Sequence, residues 1–517
     1  MEQVQEKKPF KLNAKRTMLI GFAFFGILLL WQVYDSWCPT LLSELFARAL
    51  YNGADPDYNY EMLRAITAAN GYSAQEVNDA IISCNRIIEN VQYPVGIMMA
   101  IDNLAALILL PIFGRISDKT HTRIGKRMPF ILIGTFVCSI AFPFIPVFYH
   151  FNKIVGVIIM MAIVVLFAMM YRNPAVALMP DITPKPLRSK ANGIINIMGY
   201  IGGAFATLVG LAFVLSDYLG SSTAKDKNGL LFYKAYTWAH DNPIAIIMPF
   251  VIASILMLVS ALILFIKIKE NKVAEEMKDE MARGELEAEV EISSEEEAPL
   301  TKANKIILIL ILVAEFFWFM ADNGIGTFMG NYAVYFLGTS SRSNAINTLI
   351  GGVGSVIGFA VGGIIASKIT RKWTLLSGLG ITAGSYVVWI ILTFTVGKAM
   401  AGAGSFPLWI YLIWFLKGFG MSLVHVNSFP MVVELCPNSK IGRFTGYYYA
   451  SSMLAQTITP VLLGLLLYLS DAFSWEFLPV YALACIVISL VVFIFVKNTK
   501  NKKTDFKKGL EALGQDD

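Results

Sequence analysis

The sequence has 517 residues, of which 56% are hydrophobic and only 15% are charged, and its mean hydropathy is +0.60. A soluble protein carries about 25% charged residues, so this composition excludes a water-soluble domain and predicts an all-α membrane protein. The net charge of +5 says little by itself, and we expect no nucleic-acid partner. We find no nucleophile elbow, phosphate loop or metal-ligand spacing, so we expect no enzyme, no metal and no cofactor.

Twelve apolar runs follow one another along the chain, and each is long enough to cross a bilayer as a helix. The first follows a basic arm and is too long for the apolar part of a signal peptide. The predicted spans are 17–39, 91–113, 129–148, 154–179, 192–215, 243–266, 306–335, 344–366, 373–396, 407–433, 444–469 and 475–496.

Basic residues predict which side of the membrane holds the termini. The links at 114–128, 180–191, 367–372 and 434–443 are short and basic on balance. An even number of spans leaves both termini on the side of these links, so the positive-inside rule predicts cytoplasmic N- and C-termini. We expect a multi-pass protein of the cell membrane, plasma or inner, embedded in the lipid bilayer as a monomer.

Three longer links give the domain organisation. Residues 40–90 and 216–242 are predicted outer loops, and Ala74–Val91 is a predicted amphipathic helix. Residues 267–305 alternate acids with Lys and Arg, which predicts a helical extension of span six followed by a mobile tether around Glu295–Thr301.

The expected domains follow from these links. Residues 1–266 form an N-terminal six-helix half that includes the two outer loops. Residues 267–305 form a cytoplasmic acidic linker. Residues 306–517 form a C-terminal six-helix half with a basic tail.

A short stretch of unusual composition joins the second and third runs: Gly114-Arg-Ile-Ser-Asp118-Lys-Thr-His-Thr-Arg123-Ile-Gly125-Lys-Arg127-Met-Pro129. Its five Lys and Arg residues predict a cytoplasmic link between antiparallel helices. Asp118 is its only acid, so we expect that carboxylate to find a cation or a helix N-terminus. Gly114 and Gly125 lack a side chain where two backbones turn and approach each other closely.

The links before spans five and eleven share a pattern, which indicates an internal repeat. Asp181, Pro184, Lys190 and Gly193 in the first correspond to Glu434, Pro437, Arg443 and Gly446 in the second, each 253 residues later. Two unrelated turns that contain proline are the alternative. Four matches at one spacing favour two six-helix repeats.

The stretch from Gly114 to Pro129 resembles the signature loop of the major facilitator superfamily. The residues between Asp118 and Arg123, and the ending Arg-x-Gly-basic-Arg-x-Pro, resemble one branch of it, the glycoside–pentoside–hexuronide cation symporters and sucrose transporters. A second stretch, Pro174 to Asp181 followed by Arg188 to Asn192, is similar to that branch's Pro-x-x-Ala-Leu-x-x-Asp and Arg-x-x-Ala-Asn signature. The resemblance is specific only over residues 91–200. It implies two parallel six-helix repeats around a central cavity lined by spans one, four, seven and ten.

Ionisable residues inside the spans mark a candidate transport pathway, because each costs about 2.5–3.5 kcal/mol to insert. They fall in spans one, two, four, seven and ten, mostly where the resemblance places the cavity. Aromatic rings accompany them, and a sugar presents C–H faces to rings and hydroxyls to carboxylates or amides. The predicted substrate-binding residues are Trp31, Tyr34, Asp35, Arg172, Glu315, Trp318, Asp322, Asn323 and Lys417.

Two further roles are predicted from charge. Asp102 and Arg172 are buried charges of the N-terminal half, so we expect them to pair and to form the cation-coupling site. Charges and glycines in the basic links should form a cytoplasmic gate whose ion pairs close the inner side and break when it opens. The predicted gate residues are Gly114, Asp118, Arg123, Gly125, Arg127, Asp181, Arg188, Glu434 and Arg443.

We therefore expect a secondary active transporter that moves a sugar, a saccharide or glycoside, with a cation, H⁺ or Na⁺, by alternating access. The melibiose-type symporters carry cation-binding acids where this sequence has Ala106 and Leu110, so a proton is favoured over sodium. One alternative is a proton-coupled exporter of drugs or other small molecules, which predicts a more apolar cavity. Another is a non-transporting scaffold or sensor, which would leave the buried charges unexplained.

Overall fold

A computed structural model describes residues 10–293, 302–397, 408–435, 441–469 and 474–497. Within them, twelve helices are long and apolar enough to cross a membrane, which confirms the predicted all-α architecture. Numbered in chain order, spans 1 to 12 are Ala14–Leu50, Gln92–Lys119, Met128–Ala141, Ile154–Asp181, Arg188–Ala212, Pro243–Lys267, Lys302–Asn331, Ser341–Ile369, Arg371–Leu392, Leu408–Leu435, Ile441–Leu469 and Phe477–Ile494.

Some spans continue beyond the regular helix. Span 3 is followed by the short helix Phe144–His150, and spans 7 and 9 end in the π-helical turns Tyr332–Phe336 and Thr393–Gly397. Span 1 contains Pro39, which has no N–H and therefore removes one hydrogen bond from the helix.

The first outer loop is shorter than predicted because span 1 continues as a helix to Leu50. Two α-helices follow, Tyr60–Ala65 and Ala74–Asn90. Ser73 and Glu76 form a capping box that fixes the start of the second, which matches the predicted helix Ala74–Val91 closely.

The second outer loop contains the short helix Leu215–Leu219 and a small hairpin. Strands Thr223–Lys225 and Leu231–Tyr233 pair antiparallel, with Ala224 opposite Phe232. The hairpin packs on the first loop, where the Asn78 side chain accepts a hydrogen bond from the Leu231 N–H.

The acidic linker differs from its prediction. Span 6 ends at Lys267, and a separate helix, Glu270–Ser293, begins after the extended residue Ile268. It is therefore not an extension of span 6. It packs on the N-terminal half, where the Arg283 guanidinium lies 3.9 Å from the centre of the Phe10 ring. The predicted tether at Glu295–Thr301 lies outside the described residues.

We call the side of the molecule that carries helix Glu270–Ser293 the linker face, and the opposite side, which carries residues 51–91, the loop face. Each half has its own apolar core, built around pairs such as Phe142–Phe250 and Trp389–Trp414. Residues at the loop end of the N-terminal half, such as Ile88, join the core of the C-terminal half. Apolar packing therefore joins the halves at the loop face.

Spans 2 and 11 show how far this contact extends. The Gln92 backbone lies against Gly464 and the Pro460 backbone against Gly96, so tightly that no side chain would fit on either glycine. The Asn103 side chain donates to the Gln456 carbonyl near the middle of both spans. Among the described residues no hydrogen bond joins the halves nearer the linker face, so the hydrogen-bonded contact between the halves lies on the loop-face side of this point.

Candidate functional site

An ion pair lies between spans 7 and 10 of the C-terminal half. Lys417 forms a salt bridge with Asp322, and neither side chain is fully buried, at 18% and 36% exposed. His425 lies within electrostatic range of both, and its ring packs 5.3 Å from the ring of Phe319. The C-terminal half thus presents an acid, a base and an imidazole together.

A cluster inside the N-terminal half contains two acids, Asp35 and Asp102, and one base, Arg172. The Tyr34 hydroxyl donates to the Asp102 carboxylate at 2.7 Å. Asp35 is exposed, and its charged neighbours are Arg172 of span 4 and Asp102 of span 2. These four residues form one cluster across spans 1, 2 and 4.

The predicted pairing of Asp102 with Arg172 does not occur in this conformation. Within the described residues no salt bridge joins them, and Asp102 takes its hydrogen bond from Tyr34. Asp35 is the acid within electrostatic range of Arg172. The sequence placed all three residues inside spans, but it did not give the rotation of each helix about its axis.

The remaining predicted substrate-binding residues divide by exposure. Trp31 is half-buried, with its ring edge-on to Tyr34 at 5.5 Å, and Asn323 is half-buried beside Asp322. Glu315 and Trp318 are fully buried within the C-terminal half. In this conformation those two offer no surface to a ligand.

A cavity between the halves lies close to these clusters. It measures about 620 Å³, counting the space at its open mouth, and spans 1, 5, 7 and 8 form its walls. Trp37 and Phe213 give it apolar surfaces. Its polar lining residues are Gln32, Ser36, Thr40, Thr207, Ser216, Ser341, Asn344 and Thr348.

No charged side chain lines this cavity among the described residues, although Asp35 lies next to Ser36 on span 1. None of the nine predicted substrate-binding residues is in its wall. The sequence does contain a signal for this wall. Gln32, Ser36 and Thr40 follow one another at four-residue spacing and therefore share one helix face.

The predicted gate residues Asp118, Arg127 and Asp181 meet at the linker face. Arg127 is 4% exposed, its Nε donates to Asp181 at 2.7 Å, and its Nη2 donates to Asp118. Burial alone would lower the pKa of the Arg127 guanidinium, but the carboxylates of Asp181 and Asp118 outweigh it and raise that pKa. Arg127 therefore stays charged and holds the ends of spans 2, 3 and 4 together.

This cluster changes the gate hypothesis. All three residues belong to the N-terminal half, and their ion pairs join spans 2, 3 and 4 of that half. In this conformation the three residues therefore make no ion pair with the other half among the described residues, so their role in a gate stays a prediction. Arg188 instead donates to the carbonyls of Pro180 and Thr183.

The other gate residues are placed as follows. Arg123 is exposed. A side chain on Gly114 would overlap the Asn173 amide, so this glycine allows close packing of spans 2 and 4. The side chains of Glu434 and Arg443 lie outside the part of the chain that the structure describes.

Sequence reasoning missed Glu270, the first residue of the linker helix. Its carboxylate accepts hydrogen bonds from the N–H groups of Lys126, Arg127 and Met128 at 2.9–3.1 Å. It therefore caps the start of span 3, where unpaired N–H groups and the helix dipole favour an anion. Nothing in the linker sequence separates this acid from its many acidic neighbours.

The chain matches the family model of the Major Facilitator Superfamily over residues 90–403 and 311–514. No curated protein sequence matches it. Solved structures with the same fold include the inward-open xylose transporter XylE from E. coli, at 13% identity and a TM-score of 0.57, which covers 95% of this chain and 97% of that one.

Two other solved transporters have a similar structure. The POT family transporter PepTSo has 12% identity and a TM-score of 0.56, with 94% of this chain and 98% of that one covered. A bacterial homologue of the iron transporter ferroportin, in an inward-facing state, has 12% identity and a TM-score of 0.56, with 94% and 99% covered. At these identities the likeness shows the fold alone.

The family match covers most of the chain, and the twelve spans and the likeness to solved transporters agree with it. The resemblance in the link from Gly114 to Pro129 therefore led to the right superfamily, whose members are transporters and not enzymes. The protein belongs to the Major Facilitator Superfamily and has the fold of its transporters.

Proposed function

We propose that this protein is a secondary active transporter that carries a saccharide or glycoside together with a proton by alternating access. The observation that carries the proposal is the cavity between the halves, whose polar wall is made of uncharged amides and hydroxyls. Such groups match the hydroxyls of a sugar, and Trp37 and Phe213 offer faces for its C–H bonds. A charged ligand group there would lose its hydration without gaining a partner, which is costly.

The charged clusters beside the cavity are the proposed coupling machinery. In the N-terminal half the neighbouring acids Asp35 and Asp102 have one base beside them, Arg172, which lies within range of Asp35, so a cation can be taken up without leaving an excess positive charge. We keep Asp102 and Arg172 as coupling residues and add Asp35 as the acid nearer Arg172. One elementary charge crossing 100 mV supplies about 2.3 kcal/mol, enough for roughly fifty-fold accumulation.

We further propose that the linker face is cytoplasmic, as the basic links favour. The hydrogen-bonded contact between the halves described above would then lie on the outer side. A membrane at the cell surface is the proposed location, with a monomer as the working unit.

A second candidate function has its own supporting observation. Each half holds an acid–base cluster, Asp35 with Arg172 and Asp322 with Lys417. Two such clusters could take the ammonium and carboxylate groups of a zwitterion such as a short peptide. A solved structure of a peptide transporter, POT, is among those with a similar fold.

Uptake into proteoliposomes distinguishes these functions. The panel contains a neutral monosaccharide, a neutral disaccharide, a hexuronate and a dipeptide, each with and without an inward proton gradient. We expect saturable uptake of a neutral sugar that the gradient drives uphill. Uptake of the dipeptide alone would favour the second candidate, and no saturable uptake of any solute would contradict the saccharide proposal.

Two asparagines of span 8 provide a matched pair of variants. Asn344 lines the cavity, whereas Asn347, one turn away, is fully buried outside it. Asn344→Ala should raise KM for the sugar about tenfold, the effect of 1.4 kcal/mol. Asn347→Ala should leave KM unchanged. Equal effects of the two variants would remove the cavity from the binding site.

A further inference from the structure

We propose that Asn331 and Tyr335 of the C-terminal half form a lock that holds the loop face closed. Both lie at the loop end of span 7, and both bind groups of the N-terminal half. The inference rests on the alternating access proposed above, because a lock has meaning only where two faces open in turn. It does not depend on which solute is carried.

Asn331 fits a polar socket in the N-terminal half. Its Oδ1 accepts from the Thr40 hydroxyl at 2.7 Å, and its Nδ2 donates to Ser43 at 2.9 Å and to Gln92 at 3.1 Å. Asn331, Ser43 and Gln92 have no exposed surface, and Thr40 is almost fully buried. The amide of Asn331 is therefore satisfied by the opposite half, away from water.

The socket residues also bond one another within the N-terminal half. Gln92 donates to the Ser43 hydroxyl and to the Ile88 carbonyl, and Ser43 donates to the Pro39 carbonyl. A connected, satisfied network holds its members in one geometry, and losing one member leaves the others buried without partners. Withdrawal of Asn331 would leave the polar groups of Thr40, Ser43 and Gln92 without these hydrogen bonds unless water replaces them.

Tyr335 makes the second contact, one turn further out. Its hydroxyl donates to Glu44 Oε1 at 2.6 Å, while Tyr60 donates to Glu44 Oε2 at 2.9 Å. Glu44 is 1% exposed, and Arg48 of the same helix lies 3.9 Å from its carboxylate. A buried carboxylate gains more from a donor than a neutral acceptor does, so Tyr335 favours the closed state.

The backbone of span 7 changes to a π-helical turn between the two contact residues, Asn331 and Tyr335. A π-helical turn, Tyr332–Phe336, begins directly after Asn331, and such turns often occur at functional sites. Tyr332 fixes the turn inside the C-terminal half, since its hydroxyl bonds Thr393 at 3.1 Å and accepts from Trp389 at 3.2 Å. The lock therefore projects from a rigid base.

Three variants test the lock in the full chain, reconstituted without substrate. Asn331→Ala and Tyr335→Phe each remove bonds between the halves. Tyr332→Phe removes a buried hydroxyl of the same turn whose partners stay within one half, and it is the matched control. Spin labels on Gln75→Cys and Arg342→Cys report the loop face, and labels on His121→Cys and Lys368→Cys report the linker face.

We expect Asn331→Ala to raise the ratio of loop-open to loop-closed molecules at least tenfold, and Tyr335→Phe several-fold. The loop-face labels should move apart while the linker-face labels approach. Tyr332→Phe should keep the parent distances. If Asn331→Ala does not fold, Thr40→Val breaks the same contact from the other half and should act in the same direction.

Unchanged label distances in folded Asn331→Ala or Thr40→Val, or equal shifts in Tyr335→Phe and Tyr332→Phe, would overturn the lock. Because the readout needs no transported solute, its failure would leave the saccharide proposal standing. Conversely, an absence of sugar uptake would not change the expected label distances.

Discussion

The carboxylate of Glu270 occupies the space that a side chain on Gly125 would need. A Cβ added to Gly125 would overlap Oε2 of Glu270, and the residue has a φ of +124°. Glycine at this position therefore allows both the turn and the approach of the linker carboxylate to the start of span 3.

Gly125→Ala should lower thermal stability by displacing Glu270 and straining the turn. Gly229 is the matched control, because its φ is +83° but nothing lies within 4 Å of an added Cβ. Gly229→Ala carries only the backbone cost of about 1 kcal/mol, so Gly125→Ala should lower the unfolding temperature by clearly more. Equal shifts in a fluorescence-based melting assay would show that Glu270 does not depend on this glycine.

Arg127→Lys should weaken the linker-face cluster although charge is kept. A lysine ammonium cannot bond Asp118, Ser117 and Asp181 in the fixed geometry of the guanidinium. We expect lower stability and a reduced transport rate, with KM nearly unchanged because the cavity is distant from this face. Arg123→Lys is the control, since Arg123 is exposed. A large change of KM in Arg127→Lys would place this cluster in contact with the binding site.

Asp102→Asn tests coupling. Asparagine can still accept the hydrogen bond from Tyr34, but it cannot exchange a proton. Sugar exchange should survive, whereas uphill uptake driven by a pH gradient should disappear. Tyr34→Phe removes the hydrogen bond and keeps the carboxylate, so it should shift the pH dependence of uptake without abolishing coupling. If Asp102→Asn still accumulates sugar with normal stoichiometry, Asp35 and then Asp322 become the candidates.

Asp322 and Lys417 should behave as one unit in stability measurements. Removing one partner leaves the other charge inside the protein without its counter-ion, which costs about 3–5 kcal/mol in a fully buried pair and less here because both side chains are partly exposed. Asp322→Asn and Lys417→Met should each lower the unfolding temperature, and the double variant should recover part of the loss. Additive losses in this double-mutant cycle would contradict a direct interaction.

Hydropathy and charge predicted the spans of this protein because the bilayer requires long apolar helices with satisfied backbones. The superfamily could be identified from the link between Gly114 and Pro129, because local backbone geometry requires its glycines and charges at fixed positions. Glu44 was not predicted as a functional residue because it lies beyond the predicted end of span 1, among residues assigned to the outer loop. The helix continues to Leu50 under the cover of residues 51–91, and that cover depends on tertiary packing.

Pairings across helices were harder to predict. Asp102 and Arg172 were both placed inside spans, but a small rotation of either helix decides whether they meet. In the structure Asp102 accepts a hydrogen bond from Tyr34, and Asp35 lies within electrostatic range of Arg172. Cavity residues such as Gln32 and Asn344 carry no charge, so the free-energy cost of placing a charge in the membrane does not identify them as candidates.

Pro39 divides span 1 into two working parts. Asp35 and Gln32 lie on one side of it, and Thr40 and Glu44, which bind the lock residues, lie on the other. Since a proline cannot donate to the carbonyl four residues earlier, the carbonyl of Asp35 lacks its helical hydrogen bond. Without that bond the helix bends at this point at lower cost, so its outer part can change its angle while the inner part keeps its turns.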